Sequence, residues 1–338
     1  MIELLGSAGS PYTRKMLAVL RYRLIPYRVH WTIGTKEKPG YPKPKVPLLP
    51  TFYFPLEGGG FEAVVDSTPL IRRLEEMYGP RAILPPDPTL QYLNNLIEDY
   101  ADEWVTKMMF HYRWAFQKDA DNAGPLLVHW AFPSLDQEEA KSRAADFADR
   151  QINRLYVVGS NEVTRKTIEE SYKRLIAILD DSLKQSEFLF GARPASADFA
   201  LYGQLTQLGI VEPTSAAILS EMSPRLRAWI DRMEDLSGLD VSGESWDSVE
   251  DVMARLLPLL TEIGLVYLPF LVANGAAVQE GLDQVETEID GRSWVQPTFP
   301  YQAKCLRELR RGADALPAES RKLLEPVLSP LGFEALFT

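Results

Sequence analysis

Cysteine and histidine are scarce in this chain of 338 residues. It contains one cysteine, Cys305, and three scattered histidines, His30, His111 and His129. A single cysteine excludes a disulfide framework within the chain and fits a reducing compartment. The acidic stretch 98–103 has no histidine or cysteine beside it, so we expect no metal site. Glycine-rich phosphate-binding motifs and the His-Glu-x-x-His zinc motif are also absent.

The chain has no excess of basic residues, but its charge is uneven. The net charge is −11, yet residues 1–85 hold 12 Lys and Arg against 7 Asp and Glu. A basic first part suits a small anionic ligand, and an acidic remainder argues against a nucleic-acid partner. The N-terminus shows no charged-then-apolar leader, so we expect no signal peptide and a cytoplasmic location.

One stretch comes close to a membrane span in length. Residues 256–278 are mostly apolar, but Pro258, Glu262, Pro269 and Asn274 interrupt them. We therefore expect a buried helix pair with a break, and a membrane partner is disfavoured. Cys305, further along the chain, is expected to be a small buried apolar side chain.

The order of predicted elements divides the chain into three parts. Residues 1–84 carry a strand at 2–5, a helix at 11–23, strands at 27–31, 46–52 and 61–65, and a helix opened by residues 66–69. The proline-rich linker 84–88 follows, and residues 89–236 carry helices at 90–116, 136–155, 161–186, 196–210, 215–220 and 223–235, with an irregular segment at 117–135. Residues 237–338 begin with a Ser/Gly/Asp-rich loop and continue as three or four helices, expected to pack on the helical part.

The turn after the first strand, residues 6–15, is the strongest functional signal. Ser10 stands at a helix N-cap position and Pro11 at the first helical position. Unpaired backbone N–H groups and the positive end of the helix dipole stabilise an anion there. If the anion is a thiolate, its pKa falls and it becomes a nucleophile at neutral pH. The alternative is a serine that only caps the helix.

These residues and four further segments resemble the cytosolic glutathione transferase superfamily over about residues 1–235. The segments are Ser10-Pro11-Tyr12-Thr13-Arg14-Lys15, Lys45-Val46-Pro47, Asp66-Ser67, Phe190-Gly191-Ala192-Arg193-Pro194-Ala195-Ser196-Ala197-Asp198, and Pro224-Arg225-Leu226 with Trp229. The first of them is similar to the serine-type classes, such as tau, and to many bacterial members. The resemblance implies an α/β thioredoxin-like N-terminal domain and an all-α C-terminal domain, here with extra C-terminal helices.

The resemblance also implies that glutathione is the co-substrate and that Ser10 hydrogen-bonds its sulfur. Ser7 competes with Ser10 for that role. Pro47 is expected to be cis, with the Val46 main chain pairing with the cysteinyl part of glutathione. Tyr12 and Lys45 complete the expected binding residues, with Lys45 or Lys43 facing the glycine carboxylate.

Asp66 and Ser67 are expected to bind the γ-glutamyl end of glutathione. Asp66 can pair with the ammonium group, and Ser67 at a helix N-terminus can bind the carboxylate. A plain helix cap is the alternative for this pair. Asp198 is expected to be a structural cap, although Ala195 replaces the usual Ser or Thr three residues before it.

The helix at 90–116 is expected to line a pocket for the second substrate. Trp104, Met108 and His111 share one face, at positions i, i+4 and i+7, and Tyr112 or Arg113 can assist a leaving group. The alternative is a core stripe with a hydrogen-bonded histidine. The insertion around 117–160 and the hundred residues after 236 exceed the family pattern and put this pocket in question.

We therefore expect a glutathione transferase-like enzyme that activates the glutathione thiol for attack on a small hydrophobic electrophile, as in detoxification. Serine in place of cysteine at residue 10 disfavours thiol–disulfide exchange. Glutathione-dependent ether cleavage and dehalogenation are subtypes that the sequence does not separate. The rival hypothesis is a non-catalytic binding or interaction protein with the same fold. Members of this family form homodimers, and the resemblance therefore implies a homodimer unless the added residues block it.

Overall fold

The first part of the chain forms a four-stranded mixed sheet with helices against it. In the computed structural model, which describes residues 1–35, 38–241 and 246–337, the elements are β1 (Ile2–Gly6), α1 (Pro11–Tyr22), β2 (Tyr27–Trp31), β3 (Thr51–Pro55), β4 (Phe61–Val64) and α2 (Ser67–Met77). The strand order is β2-β1-β3-β4, with β1 parallel to β2 and β3 antiparallel to both of its neighbours. This is the expected thioredoxin-like arrangement.

The strand register brings three connecting segments to the same end of the strands. This end, where β1 and β4 finish and β3 begins, is called the sheet edge below. Leu5 near the end of β1 pairs with Thr51 at the start of β3, and Phe52 pairs with Val64 at the end of β4. Because β3 runs antiparallel to both neighbours, the turn after β1, the segment before β3 and the segment after β4 all leave from this edge. The 56–60 turn between β3 and β4 lies at the opposite edge.

The second part is helical, as expected. Its helices are α3 (Pro88–Tyr100), α4 (Thr106–Ala115), α5 (Gln117–Ala131), α6 (Gln137–Ile152), α7 (Arg165–Ser182), α8 (Ser196–Thr206), α9 (Pro213–Met222) and α10 (Pro224–Met233). A π-helical segment, Ala101–Val105, joins α3 to α4, and a second one, Gln207–Val211, follows α8. The helix predicted at 90–116 is therefore continuous but contains a π segment, where one extra residue widens the turn.

The prediction of an irregular segment at 117–135 is wrong. Most of it is α5, a helix that contains Pro125. Its buried residues Ala120, Ala123 and Leu127 recur at helical spacing, and Gly124 approaches the Ala144 backbone of α6. Packing of this apolar face outweighs the local preference of Gly124-Pro125 to end a helix.

Within its described residues, 246–337, the extension has four α-helices and a β-hairpin. The elements are α11 (Val249–Glu262), a π-helical segment (Ile263–Tyr267), α12 (Leu268–Glu280), β5 (Gln284–Ile289), β6 (Arg292–Pro297), α13 (Pro300–Asp314) and α14 (Ala318–Leu328). The hairpin was not predicted, since helices alone were expected after the loop that opens the extension. The hairpin turn is Asp290-Gly291, with φ of 52° and 67°, the geometry that a two-residue type I′ turn requires.

The predicted apolar stretch lies in the continuous helix Val249–Glu280. By length and composition this helix could cross a membrane, but 61% of its most apolar window is buried inside the protein. Leu256, Leu260 and Ile263 are among its fully buried residues. The helix is thus buried like a core helix. The break that its prolines predicted is absent from residues 249–280, where a π-helical segment continues the helix.

Lys107 of α4 is buried where the helical part meets the extension. Its ammonium donates to Gln296 Oε1 at 3.1 Å and to the Val158 carbonyl at 3.3 Å, and it lies 4.1 Å from the ring centroid of Phe270. Burial lowers the pKa of Lys107 to about 7, although the negative charge of Glu103 opposes that shift. The unfolded chain keeps the ordinary, higher lysine pKa.

Between about pH 7 and pH 9 the unfolded chain therefore binds more protons at Lys107 than the folded chain, and raising the pH favours folding. We expect the free energy of unfolding of the wild type to rise by about 2 kcal/mol relative to that of Lys107→Met over this range. Urea denaturation at several pH values measures the difference. Lys118→Met removes an exposed lysine and serves as the control. Parallel pH profiles of the wild type and Lys107→Met would contradict the assignment.

Candidate functional site

Ser10 caps α1, as the sequence predicted. Its Oγ accepts a hydrogen bond from the Thr13 N–H at 3.2 Å, and its own N–H donates to the Ser7 carbonyl at 2.9 Å. The Ser10 side chain is partly exposed, whereas Ser7 is buried with its N–H bonded to Thr13 Oγ1 at 3.3 Å. In the cap, Ser10 Oγ acts only as a hydrogen-bond acceptor. Its O–H can therefore donate a hydrogen bond to a ligand at the helix N-terminus.

The helical part of the protein covers this turn. A Cβ on Gly9 would lie 2.0 Å from the Leu127 side chain of α5, so a larger residue here would require that side chain to move. Arg113 donates to the Gly9 carbonyl at 2.8 Å and to Gln207 Oε1 at 2.6 Å, and it forms a 2.5 Å ion pair with Glu212. Arg113, which we expected to assist a leaving group, instead fixes the turn that carries Ser10.

The cis proline is three residues later than predicted. The cis peptide bond is Leu49–Pro50, immediately before β3, and not the bond preceding Pro47. The chain has two successive X-Pro pairs here, and the resemblance alone did not decide which one adjoins the strand. Val46 is 52% exposed, and Leu49, which precedes the cis bond at the start of β3, takes the place expected for Val46. Lys45 is exposed.

Asp66 and Ser67 lie at the N-terminus of α2, at the same sheet edge as Ser10. Asp66 has φ 80° and ψ 115°, a conformation that strains a non-glycine residue and is typical of functional sites. Its side chain does not cap α2. One carboxylate oxygen, Oδ2, accepts a hydrogen bond from the hydroxyl of Tyr301 in α13 at 3.0 Å.

A buried charge cluster that the sequence analysis missed lies behind Ser67. The Lys15 ammonium donates to Ser67 Oγ at 3.1 Å, Glu98 Oε1 at 2.8 Å and Asp102 Oδ2 at 2.6 Å. Lys15 is 1% exposed, and Glu98 and Asp102 are also buried. Two features of the sequence could have indicated this cluster. Glu98 and Asp102 are four residues apart on an apolar helix, and Lys15 lies on the buried face of α1.

The pKa values in this cluster follow from burial and pairing. Burial lowers the pKa of Lys15, but the two carboxylates outweigh it, so that pKa is raised. Burial raises the pKa of Asp102 to about 6 although Lys15 opposes the shift. Burial also raises the pKa of Glu98, but Lys15 and hydrogen bonds from Ser196 and Thr68 outweigh it and lower that pKa overall. Lys15 thus stays charged and joins the sheet domain to α3.

Tyr12 also joins the two parts of the protein. Its hydroxyl donates to the Asp102 carbonyl at 2.7 Å and contacts Thr106 Oγ1 at 3.3 Å. Its side chain therefore points at the second part of the chain, away from the sheet edge where glutathione was expected to bind it.

The four residues proposed for the second-substrate pocket are in the core. Trp104 donates to Ser171 Oγ at 3.0 Å and packs 5.2 Å from Trp294. His111 bonds Ser160 Oγ at 2.7 Å. Met108 is fully buried, as is Tyr112, whose ring stacks on Phe116 at 5.3 Å. The core-stripe alternative describes these contacts, and Phe270 and Trp294 of the extension pack on Trp104.

A cavity of about 710 Å³ opens beside Asp66, between α2, α3 and α13. Its polar lining includes Asp66, Thr68, Arg72, Asp99, Tyr301 and Lys304. Cys305 also lines this cavity, and it is buried as expected. Within residues 1–35, 38–241 and 246–337, no group of three or more His, Cys, Asp or Glu side chains is arranged to hold a metal ion.

Asp198 caps α8 without help from a side chain at Ala195. Its carboxylate accepts hydrogen bonds from the Leu189 N–H and the Ala195 N–H, each at 2.9 Å. The methyl group of Ala195 cannot accept a hydrogen bond from the Asp198 N–H, so only one of the two bonds of a capping box is formed. The role of Asp198 in this structure is that of a cap.

A thioredoxin-like sheet with its serine-capped turn, followed by a helical domain, defines the class of the protein. Two family models match the chain: Glutathione S-transferase, N-terminal domain, over residues 4–82, and Glutathione S-transferase, C-terminal domain, over residues 144–232. The chain belongs to the glutathione transferase superfamily. Residues 233–338 lie beyond both matches.

Solved structures of the family are similar at low identity. A Tau class glutathione S-transferase from mango, Mangifera indica, is 18% identical, with 75% of this chain and 97% of that chain covered and a TM-score of 0.41. A GST-like protein from Pseudomonas syringae is 17% identical, with 69% and 66% covered and a TM-score of 0.43. A family member from Pseudomonas fluorescens, with two glutathione bound, is 16% identical, with 69% and 92% covered and a TM-score of 0.36. None of the curated proteins matches the chain.

Proposed function

We propose that the protein binds glutathione at the sheet edge where the β1–α1 turn, Leu49-Pro50 and Asp66-Ser67 meet, and that Ser10 activates its thiol. The observation that carries the proposal is this convergence: through the register of β1, β3 and β4, a capping hydroxyl, the main chain that enters β3 and a strained acidic residue come to the same sheet edge. Membership of the superfamily supports it.

Each part of glutathione meets a group of suitable chemistry. The thiolate lies at the N-terminus of α1, where the Ser10 O–H donates to it. The cysteinyl part pairs with the Leu49 main chain as an added strand. The ammonium pairs with Asp66, and the γ-glutamyl carboxylate meets the free N–H groups at Ser67, the first residue of α2.

The proposed reaction is transfer of the glutathionyl group to a small hydrophobic electrophile. The thiol proton leaves to solvent, the sulfur forms a bond to carbon, and the leaving group departs with its electron pair. An alkoxide leaving group gives ether cleavage and a halide gives dehalogenation. We place this activity in the cytoplasm, in detoxification, and propose a homodimer.

A binding protein without catalysis is the second candidate. The observation that favours it is the burial of Trp104, Met108, His111 and Tyr112 in the core, where they do not line a pocket for a second substrate. A screen of electrophiles with a glutathione-loaded protein separates the two: turnover supports the enzyme, and glutathione binding without any turnover supports the binding protein.

Calorimetric titration with glutathione tests the site. We expect the wild type to bind and Asp66→Asn to bind at least ten-fold more weakly, because a charge-assisted hydrogen bond to the ammonium is lost. Glu57→Gln removes a carboxylate from the turn at the opposite edge of the sheet and serves as the matched control. Absence of binding by the wild type at millimolar glutathione would overturn the proposal.

A further inference from the structure

The extension reaches the expected glutathione site through one side chain. Tyr301, in the first turn of α13, donates its hydroxyl to Asp66 Oδ2 at 3.0 Å, across 235 positions of sequence. The Asp66 side chain makes no capping hydrogen bond to the N-terminus of α2. Among the described residues, Tyr301 is therefore the group that orients the Asp66 carboxylate.

The start of α13 is held firmly enough to deliver this contact. Asn274 of α12, fully buried, accepts from the Phe299 N–H at 2.8 Å and donates to the Phe299 carbonyl at 3.0 Å. Gln302 donates to Glu103 Oε2 at 2.9 Å. These bonds on both sides of Tyr301 fix its backbone, so the position of its hydroxyl does not depend on Asp66 alone.

The stereochemistry leaves Asp66 able to bind a cation. A carboxylate has two oxygens and about four lone-pair directions, and the Tyr301 O–H uses one direction on Oδ2. Oδ1 stays available for an ammonium group. Because the tyrosine hydroxyl is neutral, it orients the carboxylate without cancelling its charge.

We propose that Tyr301 is a positioning residue for glutathione binding: it holds Asp66 in the orientation that receives the ammonium of the γ-glutamyl group. The extension thereby takes part in the affinity for glutathione from outside both family-matched segments. This inference rests on the proposed function, since it assigns Asp66 to the γ-glutamyl end. The cavity beside Asp66 gives that end of the ligand room between α2 and α13.

The test is a double-mutant cycle measured by calorimetry with glutathione. Tyr301→Phe is expected to weaken binding about five-fold, and Asp66→Asn to weaken it further. In the Asp66→Asn background, Tyr301→Phe should change the affinity little, because its effect passes through the carboxylate. Tyr156→Phe removes a hydroxyl from another exposed tyrosine and serves as the control.

A second ligand separates positioning from a structural role. Deaminoglutathione lacks the ammonium group, so Tyr301→Phe should bind it as the wild type does. Equal weakening for both ligands, or additive effects in the cycle, would overturn the inference. So would an unchanged affinity of Tyr301→Phe for glutathione while the wild type binds. No glutathione binding by the wild type would overturn the proposed function and this inference together.

Discussion

Replacing Ser10 by alanine is expected to abolish thiolate formation at neutral pH while leaving most of the glutathione affinity in place. The wild type should show the ultraviolet absorbance of a bound thiolate at pH 7, and Ser10→Ala should not. We expect kcat/KM to fall roughly a hundred-fold, the size of effect seen when one hydrogen-bond donor to a developing anion is removed. The physical reason is that the backbone N–H groups of α1 remain, but the hydroxyl that faces the sulfur is gone.

Ser7→Ala is the control that decides between the two serines. Ser7 contributes its buried N–H and its carbonyl to the turn, and alanine keeps both. The variant should retain the thiolate absorbance. Loss of that signal in Ser7→Ala with retention in Ser10→Ala would reverse the assignment and make Ser7 the partner of the sulfur.

The largest expected effect on stability follows from Lys15→Met. The variant leaves Glu98 and Asp102 buried and facing each other without a cation. Removing one partner of a buried ion pair typically costs about 3–5 kcal/mol, because the remaining charge stays desolvated. We expect a loss of this size in the free energy of unfolding, measured by urea denaturation at neutral pH.

The matched variant removes the carboxylate charges as well. Lys15→Met combined with Glu98→Gln and Asp102→Asn should recover most of the lost stability, since no unpaired charge is then buried. If the triple variant is as unstable as Lys15→Met alone, the loss comes from packing around the lysine side chain, and the ion cluster is not its source.

Local chemistry was sufficient to predict the turn that carries Ser10. A serine before a proline, after an apolar strand, has few other uses for its side chain than an N-cap. The strands β1, β2 and β4 and the start of α2 at Ser67 were also predicted from local sequence. The strand predicted at 46–52 was wrong in its bounds, because β3 is Thr51–Pro55. The cis proline was not predictable: Pro47 and Pro50 are preceded by similar apolar residues, and strand pairing with β1 decides which of them adjoins the sheet.

The helix at 90–116 shows what sequence spacing cannot decide. An aromatic residue, a methionine and a histidine on one face line either a pocket or a core, and the helical period is the same in both. Trp294 and Phe270, more than 160 residues away, settle the matter by packing on Trp104. Likewise, the sequence does not distinguish Arg113 and Lys15 from surface charges, because their acidic partners are brought to them only by the fold.

One hydrophobic core cluster contains buried residues from all three parts of the chain, with Ile2 and Phe337 among them. A boundary for a shortened protein therefore cannot be placed after α10 merely because both family matches have ended there. Cutting the chain at that point would remove the indole that covers Trp104, the amide that receives the Lys107 ammonium and the hydroxyl bound to Asp66. The added residues are therefore an internal component of the folded unit and not an appendage that can be removed from it.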